Sequence, residues 1–374
     1  MTETFPSPFS GGHESFRDLA ATFSRRELLE KRGERDRFPF VEFDGGPARA
    51  MGELGFYGIM LPAEHGGTGD EGALEAILEE ISKVDAGMAA IVFANAAAAG
   101  IINAASADGD CAEAYRLVTA SGTPLAFQAY AHPSESALPR AEPHGEGAVL
   151  SGVAGYIVNG GIADLALIPA EGPGGVSYYL VDLWQTAVSL SMPLFSLGMR
   201  ACPAVDATLA GAAGTPVGLP GRGVSYFERM RERLSAASAA ILVGIMKGSF
   251  EDALAYARER FQGGRKIIDW PEVGMLLARM SLDIEAAAGA AARAVRLRES
   301  GTMGWERASL ATAVIAGETA VDAASHGLQV FGGNGYMRDY PQEKRFRDAR
   351  QAVSLLGMVN PRRMACMESI IEGK

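Results

Sequence analysis

The spacing of apolar residues changes twice along this chain, and that limits the folds open to it. Residues 73–84 place Leu74, Ile77, Leu78, Ile81 and Val84 on one stripe. This is the i, i+3, i+4, i+7 pattern of an amphipathic helix with its apolar face in a core. Residues 16–32 mix charged and periodic apolar residues in the same way. From about residue 123 to 218 the pattern shortens. Runs at 148–153, 156–158, 166–169, 176–181 and 187–190 read as strands, and Gly172 to Gly175 as a turn between two of them. The last third is helical and Ala-rich again, over 226–260, 270–300, 305–331 and 345 to the end, with Gln262 to Arg265 breaking the first helix from the second. Four long helices with short connections suggest a bundle. The expected fold is therefore α+β multidomain: an N-terminal α-helical domain (1–122), a middle β-barrel or sandwich domain (123–219) and a C-terminal four-helix bundle (220–374).

A length of 374 residues fits two or three domains, at roughly 100–200 residues each. The net charge of -11 disfavours a general nucleic-acid binder, because neutralising phosphates needs clustered Lys and Arg. Three cysteines, Cys111, Cys202 and Cys366, lie far apart without metal-ligand spacing. They fit a reducing compartment, and a cytoplasmic location is expected. The first residues show no basic segment followed by an apolar one, so no signal peptide is expected. The apolar tract 88–105 carries Asn95 and Asn103 and reads as a buried helix, not a membrane span.

The segment 329–350 combines a two-glycine backbone approach, at Gly332 and Gly333, with a dense run of charges. It resembles the C-terminal signature of the acyl-CoA dehydrogenases. Residues 54–67 resemble that family's L-G-x-x-G-x-x-x-P-x-x-x-G-G segment. Glu79, Glu80 and Ile81 resemble its E-E-(I/L) helix, residues 156–164 its W-I-T-N-G-x-x-A-D strand and turn, and residues 196–200 its K-x-G-x-R segment. Each match is weak alone; together and in order they are strong. The resemblance implies FAD at a dimer interface, with an acyl-CoA substrate and an acceptor such as electron-transfer flavoprotein.

It also sorts the residues. Those the family hands to a neighbour's FAD are largely kept. Arg260 stands at the R-x-x-F-G arginine that contacts pyrophosphate, a role suited to a guanidinium fork. The Phe of that motif is Gly263. Gln329, Gly332 and Gly333 match the stretch against the adenosine half, where a Cβ would occupy ligand space. Read without the resemblance, the glycines are a helix stop and Arg260 a surface ion pair. The contacts to the chain's own flavin are degraded. Of the T-E-P-x-A-G-S-D run only Pro133 is unchanged; Ala131 and Ala137 replace hydroxyls. Val158 replaces a threonine that contacts the flavin N5 region and can neither donate nor accept. Tyr156 replaces a tryptophan and could still stack. His132 stands at the glutamate and reads as an exposed loop histidine, although its titration range would also suit a base.

The family's chemistry is α-proton abstraction by a carboxylate with β-hydride transfer to flavin, and needs a base within hydrogen-bond reach. Counting on from Arg347, Asp348 and Ala349 places Leu356 at the usual glutamate. A second base position used in the family falls on Leu234. Glu232 and Glu228 are the remaining candidates, but Glu232 lies roughly 200° around a helix from Leu234. Three functions stay open. The chain could be a subunit lacking its own base, paired with a catalytic paralogue in an α2β2-like assembly. It could instead be a self-sufficient homo-oligomeric dehydrogenase with a relocated base. It could also be a non-oxidative acyl-CoA lyase or desulfinase-like flavoprotein. No metal site is expected.

Overall fold

The fold is described from a computed structural model, over residues 5–9, 12–37 and 43–372. Six helices come first: α1 (Glu14–Phe23), α2 (Arg32–Arg35), α3 (Gly45–Glu53), α4 (Glu71–Ser82), α5 (Ala86–Ser106) and α6 (Ala112–Ser121). Asp70 caps α4 by accepting from the Ala73 amide at 3.3 Å, and Asp85 caps α5 by accepting from Gly87 at 3.1 Å. Such caps satisfy amides that have no partner inside the helix. Helix α5 and the later α7 are long and apolar enough to cross a membrane, but 89% and 94% of their apolar windows are buried within the fold.

Seven strands follow: β1 (Ala126–Phe127), β2 (Arg140–His144), β3 (Gly147–Val158), β4 (Leu165–Gly172), β5 (Gly175–Asp182), β6 (Val188–Leu190) and β7 (Ala204–Val217). Strand β3 pairs with β1, β2 and β7; β5 pairs with β4 and β7; β1 also pairs with β4. The pairings thus close on themselves. Alternate residues go to opposite faces. Ala126, Ile157, Ile168 and Val181 fill the inside of the sheet, while Phe127, Val158, Leu167 and Leu180 pack onto the helices.

The last part holds α7 (Gly223–Glu259), the hairpin β8 (Phe261–Gln262) and β9 (Arg265–Lys266), α8 (Pro271–Glu299), α9 (Trp305–Phe331), α10 (Gln342–Ala352) and α11 (Val359–Ile371). The expected fourth long helix from residue 345 onward is broken in two. Leu356 and Gly357 between α10 and α11 have φ of 58° and 105°, the left-handed region that ends a helix.

The charges of segment 343–348 tie the three parts together. Lys344 Nζ reaches Asp85 Oδ1 at 3.0 Å and Asp348 Oδ2 at 2.6 Å. Arg345 Nε donates to Asp252 at 2.9 Å, and Arg347 pairs with Glu343 at 2.7 Å and with Asp36. Asp348 Oδ1 accepts the Met199 amide at 2.6 Å. Burial alone would raise Asp85, but Lys344 and Arg35 outweigh it and hold the carboxyl below its ordinary range. At Asp348 burial wins and pushes the carboxyl up. Gly198 is needed here: a Cβ would stand 2.3 Å from the Arg347 carbonyl oxygen.

Candidate functional site

The sequence-selected residues fall into two places. At the first, α7 ends at Glu259 and Arg260 turns to extended backbone, leading into the β8–β9 hairpin. Helix α9 ends beside it at Phe331, and Gly332 follows at φ 56°. Arg260, Gly332 and Gly333 line one open cavity of about 650 Å³ with Tyr256, Gly263, Trp270, Phe331 and Asn334. Tyr256 and Phe331 stack at 4.1 Å, and Asn334 Nδ2 donates to the Tyr256 hydroxyl at 2.9 Å. The Trp270 indole lies under Gly263, where a Cβ would stand 2.9 Å from Cζ2. The exposed Arg260 guanidinium reaches Gln262 Oε1 at 3.4 Å and is in no ion pair among the described residues. Nothing lies within 4 Å of a Cβ at Gly332 or Gly333. Gln329 is exposed on the last turn of α9.

This arrangement suits a nucleotide diphosphate. A free guanidinium fork can take phosphate oxygens, aromatic faces can take a planar base, and bare backbone allows close approach. The aromatic walls Tyr256, Trp270 and Phe331 escaped the sequence reading. Trp270, soon after Arg260 and Gly263, was the available signal.

The second place is the junction between the sheet, α5, α7 and the α10–α11 turn. Here Leu356 is 0% and Leu234 1% exposed. The Leu356 amide donates to the Ala129 carbonyl at 2.7 Å. Leu234 and Met230 press on α5, standing 3.4 and 2.9 Å from a Cβ placed on Gly100. Val158 is buried in the core shared with the helices. Tyr156 meets Tyr130 edge-on at 5.4 Å, and its hydroxyl accepts from Gln351 Nε2 at 2.7 Å. Tyr130 is half-buried, and desolvation of its hydroxyl pushes that group well above the ordinary range. Of the polar groups that remain, Tyr156 and Gln351 are engaged with each other.

His132 corrects the expectation of an exposed loop residue. Its side chain is 12% exposed. Nε2 lies 2.7 Å from Glu228 Oε1, Nδ1 lies 2.7 Å from Ser134 Oγ, and the ring meets Phe227 edge-on at 4.8 Å. Glu228 also pairs with Arg231, so both its oxygens are committed. Glu232 is half-buried on α7. Among the described residues no cluster of His, Cys, Asp or Glu could hold a metal ion.

Two family models match the chain: acyl-CoA dehydrogenase, N-terminal domain, over residues 10–109, and acyl-CoA dehydrogenase, C-terminal domain, over residues 221–370. A 3-(aryl)acrylate reductase of Clostridium sporogenes is 27% identical over 97% of this chain and 100% of its own length. The caffeyl-CoA reductase–Etf complex subunit CarC of Acetobacterium woodii is 27% identical over 91% of this chain and 93% of its own. Among solved structures, an acyl-CoA dehydrogenase complexed with FAD from Bacillus anthracis superposes with a TM-score of 0.86 at 22% identity, over 100% of this chain and 69% of that one.

Proposed function

The chain belongs to the acyl-CoA dehydrogenase family, an FAD-binding family, and from that premise we propose that it is a flavoprotein subunit working for a neighbour. It holds the adenosine and pyrophosphate of the neighbour's FAD through Arg260, Gln329, Gly332 and Gly333. The neighbour, a paralogue with a glutamate where Leu356 stands, oxidises an acyl-CoA at Cα–Cβ and passes electrons to a carrier such as electron-transfer flavoprotein. FAD, when bound, supplies the hydride acceptor.

One observation carries the reading: the cavity at Arg260 is open, while the junction at Leu356 and Leu234 is filled. In this reading the chain's own task is to bind and orient. Arg260 presents phosphate donors, the glycines allow backbone approach, and Trp270 with Phe331 walls the base. Engagement of Glu228 by His132 and Arg231 weighs against a relocated base there.

The test is to express the chain alone and with a glutamate-bearing paralogue, then measure flavin per chain and acyl-CoA-dependent flavin bleaching. The expected result is little flavin alone, and about one flavin per pair of unlike chains in the mixed assembly. Full flavin occupancy with acyl-CoA oxidation in the homo-oligomer would overturn the proposal.

A further inference from the structure

The hairpin that follows α7 carries a second guanidinium on the face where Arg260 stands. Gly263 and Gly264 have φ of 67° and 86°. Positive φ at both central residues is the turn that suits a two-residue hairpin, and glycine adopts it without strain. The turn fixes the register. Gln262 pairs with Arg265, and the Ile267 amide donates to the Arg260 carbonyl at 2.9 Å. Cross-strand partners share a face, and so do residues two apart on one strand. Arg260, Gln262, Arg265 and Ile267 therefore lie on one face of the hairpin, and Arg260, Gln262 and Ile267 line the cavity. Phe261 and Lys266 take the other face.

Arg265 is steadied on that face by an aromatic ring. Its Cζ stands 4.0 Å from the centroid of the Trp270 ring. Trp270 lines the cavity, and its Nε1 donates to the Gln262 carbonyl at 3.3 Å. The donors of a guanidinium lie in its own plane, so stacking on an aromatic face leaves its N–H edges free. Arg265 is exposed and is in no ion pair among the described residues. A ligand in solution can therefore reach its donors, as it can those of the exposed Arg260. Residues 258–266 hold four basic side chains against one acid, Glu259, in a chain whose net charge is -11. Such a local excess of positive charge draws anions to this hairpin.

The inference rests on the reading of this cavity as the place of a nucleotide diphosphate, and it says how the two phosphates are shared. Arg260 and Arg265 are diagonal neighbours across the hairpin. Such positions lie about 7–8 Å apart, within reach of long side chains. Each guanidinium fork can take two oxygens of one phosphate. Two forks on neighbouring positions match two linked phosphates better than a single one. We infer that Arg260 and Arg265 each hold one phosphate of the diphosphate, with Trp270 as a positioning residue that keeps the Arg265 fork in place.

ADP and AMP are the probes, titrated into the full chain by calorimetry, with inorganic pyrophosphate as a third that lacks the base. The wild type is expected to bind ADP saturably and AMP about tenfold or more weakly, the size of one charge-assisted hydrogen bond. Arg265→Gln should weaken ADP by about tenfold and leave urea unfolding unchanged. Trp270→Leu should weaken pyrophosphate binding in the wild-type background and add nothing in the Arg265→Gln background, a pattern that a merely structural role for Trp270 would not produce. No saturable ADP binding by the wild type would overturn the inference. So would ADP binding that Arg265→Gln leaves unchanged; if Arg260→Gln still lowers it, the flavin reading stands without the second fork. Equal losses from Trp270→Leu in both backgrounds would overturn its positioning role. ADP binding that needs both arginines, with FAD retention in the mixed assembly indifferent to both, would support the two-fork site and overturn the flavin reading instead.

Discussion

At the end of α9, nothing lies within 4 Å of where a Cβ on Gly332 or Gly333 would stand, and the neighbouring Arg260 side chain is exposed. At the α10–α11 turn, the Leu356 side chain is wholly buried and its amide is tied to Ala129. Yet the closed region keeps the unusual backbone. Tyr156, Met199 and Leu356 all have positive φ, at 51°, 50° and 58°. Each costs of order 1–3 kcal/mol and persists only where surrounding structure holds it. Met199 is held by Asp348, Tyr156 by Gln351 and Leu356 by Ala129. Backbone geometry thus persists at a junction where leucine stands at both of the expected base positions. The open region has the reverse character: ordinary packing behind it and ligand-ready groups in front.

The strongest attempt to break this contrast is Leu356→Glu. If the junction is closed, the variant loses apolar packing and puts a carboxylate among groups that are already paired. The expected loss is about 4 kcal/mol or more, a large share of the roughly 5–15 kcal/mol that stabilises a typical protein. Urea unfolding measures it. A variant as stable as wild type that also bleaches flavin with an acyl-CoA would mean that the junction is a working site lacking only its base.

Lys344→Met asks whether the charge run of α10 is structural. It leaves Asp85 and Asp348 buried with less compensation, an expected loss of about 3–5 kcal/mol near neutral pH. The pH dependence has a definite sign. Asp85 is depressed in the native state, so its contribution is present above the unfolded value of about 4 and is lost as pH falls through its native value. In the variant both carboxyls lose the cation that favoured their charged forms, so acid relieves them. The stability gap between variant and wild type should be widest near neutrality and narrow below about pH 4. A gap that widens on acidification would contradict the network.

How much of this was legible in the sequence depended on the range of the interaction responsible. Helix α4 declared itself by local periodicity, and the glycine pair and Arg260 by motif. Strand β7 did not, because its Ala- and Gly-rich sequence carries few of the branched and aromatic residues that mark strands. The break between α10 and α11 rests on backbone at Leu356 that a leucine gives no reason to expect. His132 is held by Glu228, 96 residues away, and no local pattern reports such a contact. The charge run 343–348 was visible, but its partners Asp36, Asp85 and Asp252 are set by the tertiary fold.

At the open cavity the expected effects are on binding. Arg260→Gln removes an exposed charge with a single long hydrogen bond, so folding stability should stay within about 0.5 kcal/mol. In the mixed assembly, FAD retention should fall by about 10–100-fold, the equivalent of about 1.5–3 kcal/mol for hydrogen bonds to a charged group. Dialysis against free flavin followed by absorbance reads this. Equal retention would remove Arg260 from the proposed site.

Gly333→Ala is the finest probe, because it separates the needs of the fold from those of a ligand. Gly332 has φ of 56°, so a side chain there strains the backbone whatever lies nearby. Gly333 is not among the positive-φ glycines and faces open space, so alanine should change stability by no more than about 0.5 kcal/mol. If a nucleotide lies against that backbone, the added methyl stands in its place, and flavin retention should drop while urea unfolding stays unchanged. Retention equal to wild type would mean that the glycine only ends a helix. The open face would then owe its shape to the turn and not to a ligand, and the contrast with Leu356 would lose its functional meaning.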